Sequence, residues 1–291
     1  MRLSVSPLMP AALAGVVVAL SLWTAPAWAE PPAKELFGAV TRPADLPSRV
    51  LGFYAKGCLA GAEALPADGP AWQVMRPSRN RAWGHPALIA FLEKFARNAP
   101  RTNGWPGILV GDIAQPRGGP MKTGHASHQI GLDADVWLTP MPPRVLSSQE
   151  REDIAAADMV RDDKLDVSTN WTKGQHALIK AAAQQPQVER IFVNAAIKKA
   201  LCREATGDRS WLRRVRPMYG HNWHMHIRMA CPAGETDCQS QDPVPPGEGC
   251  GKELDYWFSD AVLHPRPGGK PKPPMEMSAL PQACRAVLKA P

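Results

Sequence analysis

The sequence lacks an apolar run of the roughly 18–20 residues that a membrane span needs. It also lacks any C-x-x-C pair and any internal repeat. The first absence argues against an integral membrane protein, the second against a zinc ribbon or dithiol redox motif, and the third against a fibre or coiled coil. Proline and glycine are plentiful, 31 and 23 of 291 residues. Together they make up roughly 19% of the chain, below the ~25–30% that signals disorder. With 44% apolar and 21% charged residues, a loop-rich globule with a buried core is expected. The formal net charge of +7 favours acidic partners.

Residues 1–29 read as a secretory leader. Arg2 is the only charge, Ala11 to Trp23 form a short apolar run, and Ala27-Trp28-Ala29 is a small-x-small cleavage site before Glu30. An uncleaved anchor is the alternative. Cleavage removes Arg2 and no acid, leaving residues 30–291 as one domain with a slightly smaller positive charge. Export places the six cysteines in an oxidising compartment. Six cysteines allow 15 pairings, and spacing does not choose among them. A nested scheme is expected, with Cys231–Cys238 innermost, Cys202–Cys250 around it, and Cys58–Cys284 tying the two ends.

Leu88, Leu92 and Phe95 predict a helix ending before Pro100, and Gly107 to Val110 a strand. Ser147 and Glu150 have capping-box spacing and open a helix towards Val160. Thr172 caps a helix to about Gln184, Val188 to Val193 is strand-like, and Asn194 caps a helix through Cys202. Segments 243–248 and 265–274 are too rich in proline for regular structure. The irregular mixture of strands and helices reads as α+β.

Five of the eight histidines fall in two short clusters. In Gly124-His125-Ala126-Ser127-His128-Gln129-Ile130-Gly131-Leu132-Asp133-Ala134-Asp135-Val136-Trp137-Leu138, residues alternate from Leu132 onward. Leu132, Ala134, Val136 and Leu138 share one face of a strand; Asp133, Asp135 and Trp137 share the other. Gly131 lets the chain turn, so that His128 can fold back over Asp135. In the second cluster Trp223, Met225, Ile227 and Met229 share one strand face, and His224, His226 and Arg228 the other. Side chains two apart on a face lie about 6–7 Å from one another, which suits imidazoles converging on one site. Three His or Asp ligands with an open position make a catalytic zinc arrangement. A lone strand histidine is more often hydrogen-bonded structure than ligand, but two clusters patterned alike favour metal. Asp133 is either an outer partner orienting a ligand histidine or a strand-edge carboxylate. His85, His176 and His264 read as surface residues.

At these two clusters the chain resembles the zinc peptidases of the lysostaphin, D-Ala-D-Ala peptidase and hedgehog-type fold. Their pattern is matched by Ser127-His128, Gly131, Asp135 and His224-Met225-His226. Within that group it is most similar to the penicillin-insensitive murein endopeptidases, over almost the whole mature length. The similarity includes 124–129, Arg-Ile-Phe-Val-Asn at 190–194, Val-Arg-Pro at 215–217, Arg-Met-Ala-Cys-Pro at 228–232 and the cysteine positions. The resemblance implies a central antiparallel sheet carrying the zinc site, flanked by helices and long disulfide-tied loops. It implies that His128, Asp135 and His226 bind zinc, that His224 acts as base or transition-state stabiliser, and that His221 and His125 line the pocket. For a second metal near His125 it suggests Asp162, although Leu165 stands where a histidine is expected. Trp223 occupies the place of the glutamate base of the dipeptidase branch, which points away from that branch.

The implied activity is hydrolysis of D-alanyl–meso-diaminopimelyl crosslinks in periplasmic peptidoglycan, insensitive to β-lactams because no serine is acylated. Arg213, Arg214, Arg216 and Arg228 are candidates to hold a substrate carboxylate, the first two reading more readily as a solvated face. The rival functions are a D,D- or L,D-carboxypeptidase of stem peptides and a non-catalytic zinc-containing wall-binding module. Nucleic-acid binding is not expected: aromatic-basic motifs are missing.

Overall fold

The computed structural model describes residues 1, 30–265, 268 and 273–291. The leader and part of the 265–274 joint lie outside the described residues, and Pro31–Pro291 pack as one unit. The strands are β1 (Arg49–Phe53), β2 (Lys56–Ala60), β3 (Glu63–Ala64), β4 (Asp68–Gly69), β5 (Trp72–Val74), β6 (Trp83–Gly84), β7 (Ile108–Val110), β8 (Asp133–Trp137), β9 (Val188–Val193), β10 (Val215–Pro217) and β11 (His224–Met229). The helices are α1 (Ala33–Phe37), α2 (Pro86–Asn103), α3 (Ser148–Asp153), α4 (Lys173–Ala183), α5 (Ala195–Glu204), α6 (Lys252–Asp255), α7 (Asp260–Leu263) and α8 (Ala283–Lys289).

Seven strands make one sheet in the order β10-β9-β11-β8-β7-β5-β4. Its centre, β9-β11-β8-β7, is antiparallel, whereas β10/β9 and β7/β5 run parallel. The sheet is therefore mixed, with the expected antiparallel pairing confined to the centre and the β4/β5 edge. Parallel neighbours need a crossover, and α2 and α5 supply one each.

Period-2 alternation decides what each face of the central strands meets. Ala134 and Val136 of β8 and Met225, Ile227 and Met229 of β11 join the main core with Leu88, Leu92, Leu178, Ile179, Ile197 and Leu201 from α2, α4 and α5. The opposite face of the same strands carries the two aspartates, two histidines and Arg228. Trp223 departs from the expected stripe: it precedes β11 and is 42% exposed.

Local signals set most helix ends. Thr172 caps α4 and Asn194 caps α5, and Ser147 closes a capping box on α3, which stops at Asp153, well short of Val160. Helix α2 runs one turn past Pro100 and ends at Gly104, whose φ of 76° suits a left-handed C-terminal residue. A proline removes one hydrogen bond, and near a helix end, with Ala96 and Ala99 packed in the core, that loss is tolerated. His85 is not a surface residue but the buried N-cap of α2, its Nδ1 accepting from Ala87 N at 3.2 Å. His176 contacts Glu204 at 3.2 Å, and His264 is exposed.

The disulfides are Cys58–Cys284, Cys202–Cys250 and Cys231–Cys238. The first is buried in a second cluster with Phe37, Leu51, Met277, Leu280 and Val287. Near the second, Lys198 is fully buried, and its Nζ donates to Leu212 O at 2.7 Å and Glu248 O at 2.6 Å. Burial pushes this amine down to about 7, and a neutral amine still has two N–H donors, enough for both carbonyls. Because the unfolded chain then binds the extra proton, stability is lowest below pH 7 and rises as pH climbs towards 10.5. Urea unfolding across pH 7–10 is expected to lose part of its upward slope in Lys198→Met.

Candidate metal centre

The pairing of β8 with β11 sets the site. Asp135 lies opposite His226, Asp133 opposite Arg228, and Trp137 opposite His224. Asp133 and Asp135 share a face because they are two apart, and so do His224, His226 and Arg228. His128 reaches the same face through the turn before β8. Both His128 and Gly131 have φ of 67°. A Cβ on Gly131 would lie 2.4 Å from Leu59 Cδ2 and 2.9 Å from His85 N, so the turn admits only glycine there. His128, a non-glycine residue in the left-handed region, is held by its backbone N donating to Asp133 Oδ2 at 3.0 Å. Gln129 N donates to Tyr54 O and Gln129 Oε1 accepts from Gly57 N, which props the turn on the β1–β2 hairpin.

Asp135 is the hub. Its Oδ1 lies 3.5 Å from His128 Nε2, 3.5 Å from His224 Nε2 and 3.6 Å from His226 Nδ1. Its Oδ2 lies 3.4 Å from His125 Nε2. His128 Nδ1 sits 2.5 Å from Ile113 O; donating there leaves Nε2 with its lone pair facing Asp135. His226 is backed by Asp133 Oδ1 at 2.9 Å from Nε2, so Nδ1 faces the hub. Asp133 in turn accepts from Arg228 Nε at 2.8 Å and Nη2 at 3.3 Å. The Arg228 guanidinium lies over the Tyr54 ring at 4.1 Å and the Phe192 ring at 5.0 Å. Asp133 thus contacts both His226 and Arg228.

The electrostatics favour neutral His224 and His226 and an ionised Asp135, and act the other way on His128. Burial pushes His224 and His226 down to about 4, so both rings are neutral at neutral pH. Burial also opposes charge on His128, but the Asp135 carboxylate outweighs it and raises its pKa. Burial works against the Asp135 carboxylate, yet the histidines around it hold its pKa well below the usual range.

Four buried polar atoms here have no hydrogen-bond partner: His128 Nε2, Asp135 Oδ1, His224 Nε2 and His226 Nε2. The His226 Nε2 contact with Asp133 is close but not aligned as a hydrogen bond. Each such atom costs about 1–3 kcal/mol when unpaired. Tetrahedral ligands ~2.0–2.2 Å from one ion are about 3.3–3.6 Å apart, which matches the spacings around Asp135 Oδ1. The chemistry of these side chains fits a divalent cation. Among the described residues the group whose ligand atoms all lie within 4.8 Å of one another is His125, His128 and Asp135, and it does not include His224 or His226.

With this geometry in view, likeness to known proteins carries weight. Residues 50–289 match the family model described as penicillin-insensitive murein endopeptidase. The chain belongs to that family. A relative so named from Klebsiella pneumoniae subsp. pneumoniae is 43% identical over 249 residues, 86% of this chain and 89% of the relative. One from Haemophilus influenzae is 44% identical over 243 residues, covering 83% and 82%. One from Escherichia coli is 41% identical over 249 residues, covering 86% and 89%.

The remaining sequence candidates divide. His221 lies beside the centre, its ring 4.8 Å from that of His224 and its Nδ1 2.8 Å from Tyr219 O. Asp162 is exposed and is not part of the ligand group found among the described residues. His125 instead contacts Asp112 at 3.1 Å. Asp112, Arg76 and Arg79 were not signalled by motif spacing, and the structure brings all three to the cleft. The one available clue to Asp112 is its place just beyond β7, beside Asp135, whose N donates to Asp112 O at 3.0 Å. Burial disfavours the Asp112 charge, but His125, Arg81 and Arg79 hold it at about 2.

Proposed function

We propose that this chain is a zinc metalloendopeptidase that hydrolyses D-alanyl–meso-diaminopimelyl crosslinks of peptidoglycan. The observation that carries the reading is the set of unpartnered buried atoms His128 Nε2, Asp135 Oδ1 and His224 Nε2, with Asp135 and His224 lining a cleft of about 470 Å³. Family membership supports the substrate class. The zinc ligands are His128, Asp135 and His226, with His125 lining the cleft and His221 beside His224, within a hedgehog-type catalytic domain spanning residues 30–291. The leader-like pattern of residues 1–29, the three disulfides and membership of a murein endopeptidase family support a periplasmic location.

When bound, zinc supplies Lewis acidity that polarises a carbonyl oxygen and makes water nucleophilic at neutral pH. The chain's own residues do the rest. Ile113 O and Asp133 fix the His128 and His226 rings, which keeps both ligand nitrogens on the Asp135 side. His224, neutral and 3.5 Å from Asp135 Oδ1, takes the proton of the attacking water and returns it to the leaving amine. Trp223 and Trp137 wall the cleft beside it and limit solvent.

Digestion of purified sacculi with and without a chelator tests the reading. One zinc per chain and chelator-sensitive loss of dimeric muropeptides are expected. Shortened monomers with dimers intact would indicate a carboxypeptidase instead, and full activity after complete zinc removal would sink the proposal. His224→Ala is expected to keep zinc and lose roughly 100–10,000-fold in rate; an unchanged rate would remove His224 from the mechanism.

A further inference from the structure

The arginines that the sequence offers for a substrate carboxylate are engaged elsewhere. Arg228 is buried against Asp133. Arg214 donates to Ala183 O and Gln185 O, and Arg216 pairs with Glu253. Arg213 lines a different depression, with Trp211 and Pro243.

Two other arginines line the cleft that contains Asp135 and His224: Arg76 and Arg79. The Arg76 guanidinium is anchored, donating to Arg151 O and to Ile154 O and lying 5.2 Å above the Trp137 ring. Arg81, nearby, is only 10% exposed in its side chain and donates to Asp112 and to Thr123 O and Oγ1. Arg79 differs from both. Among the described residues its guanidinium makes one contact, Nη1 to Asp112 Oδ2 at 3.2 Å, and its side chain is 48% exposed. A guanidinium carries five N–H donors, so most of this fork is left without a protein partner among the described residues. Arg79 and Arg81 share the single Asp112 carboxylate, which leaves net positive charge at this wall.

The position of Arg79 is fixed by its backbone. It ends a single 3-10 turn, Pro77–Arg79, bracketed by Arg76 and Asn80, both in the left-handed region with φ of 57° and 51°. Ser78 N donates to Glu152 Oε1, and Asn80 donates to Thr41 O while accepting from Trp83 Nε1. A turn pinned on both sides presents its arginine with little ordering still to be done on binding. From Arg79 the contacts run in series through Asp112 and His125 to Asp135. The cation therefore stands at one wall of the cleft, a short peptide span from the reacting centre.

We infer that Arg79 binds a free carboxylate of the crosslinked stem peptide and sets a preference for acidic over amidated substrate. This rests on the endopeptidase reading above. The carboxylate is either the C-terminal one of the stem or the free one of diaminopimelate, and the same guanidinium chemistry serves both. Arg79 acts by recognition and positioning; it takes no part in proton transfer.

The test uses three synthetic crosslinked dimers: all carboxylates free, C-terminal carboxylate amidated, and diaminopimelate carboxylate amidated. Arg79→Gln is expected to raise KM for the free dimer roughly 10–100-fold, as loss of a charge-assisted pair does, with kcat little changed and zinc content intact. For one amidated dimer the variant and the wild type are expected to converge to within about threefold, and that dimer identifies the carboxylate. Arg79→Lys is expected to recover part of the loss, because it keeps the charge without the fork. A second readout is binding of the free-carboxylate cleavage product to chelated protein by calorimetry, which Arg79→Gln should weaken and amidation of the product should not weaken further. Equal losses on all three dimers would show that Arg79 acts only by supporting Asp112, and the inference would fall. If wild type cut none of the dimers, the proposed reaction would fail, while the binding arm would still decide the role of Arg79.

Discussion

Replacing His226 by alanine is expected to lower crosslink hydrolysis by about 1,000-fold or more, about 4 kcal/mol of barrier, and to remove tightly held zinc. The size follows from the position of the ring. His226 stands directly across β8/β11 from Asp135, and its Nδ1, 3.6 Å from Asp135 Oδ1, is at ligand spacing. Its other nitrogen is turned to Asp133, 2.9 Å away. That carboxylate should give a graded result: Asp133→Asn is expected to weaken zinc affinity roughly 10–100-fold, with a smaller loss of rate. Elemental analysis after dialysis against a chelator series, with circular dichroism to check the fold, reads both. If His226→Ala retained one zinc and its rate, the third ligand would be His125, and His125→Ala should then lose the metal. That outcome would overturn the ligand set proposed here.

The second large effect is on stability. Removing Cys58–Cys284 by a double serine substitution is expected to cost about 5 kcal/mol in the chain-entropy account, because the bridge closes a loop of 226 residues. For a domain of this size that corresponds to a fall in Tm of roughly 10–20 °C. The bridge joins β2 to α8, and both sulfurs are fully buried. It also bears on the site, since β2 holds Gln129 through Gly57 and so supports the turn that presents His128. Removing Cys231–Cys238, with a separation of 7 residues, should cost only about 2 kcal/mol. Calorimetric unfolding of the two double variants should show that order; the reverse order would mean that local packing, not loop closure, governs their contribution.

Much of this site was legible from alternation alone. Ala134, Val136, Met225 and Ile227 turn to the core because every second residue of a strand shares a face, which leaves Asp133, Asp135, His224, His226 and Arg228 on the other. Caps at Thr172 and Asn194 were equally plain, since a side chain two residues before a backbone N–H acts locally. Pro100 misled because a proline's effect depends on how near the helix end it falls and on what packs around it. His85 misled because its partners are distant in sequence: its N donates to Gly131 O, and its Nε2 lies 3.3 Å from Glu235, 150 residues away.

The sequence by itself determined the aspartate strand and the histidine strand, their polar faces and the glycine turn at Gly131, because these depend on dihedral preference and on periods of two. Only the tertiary structure decided the register that sets His226 against Asp135 and Arg228 against Asp133, since strand pairing joins segments about 90 residues apart. The same holds for the cleft wall. Asp112, Arg76 and Arg79 carry no mark in the sequence, and they meet the metal centre only because β7 is laid beside β8 and a pinned turn is folded against it.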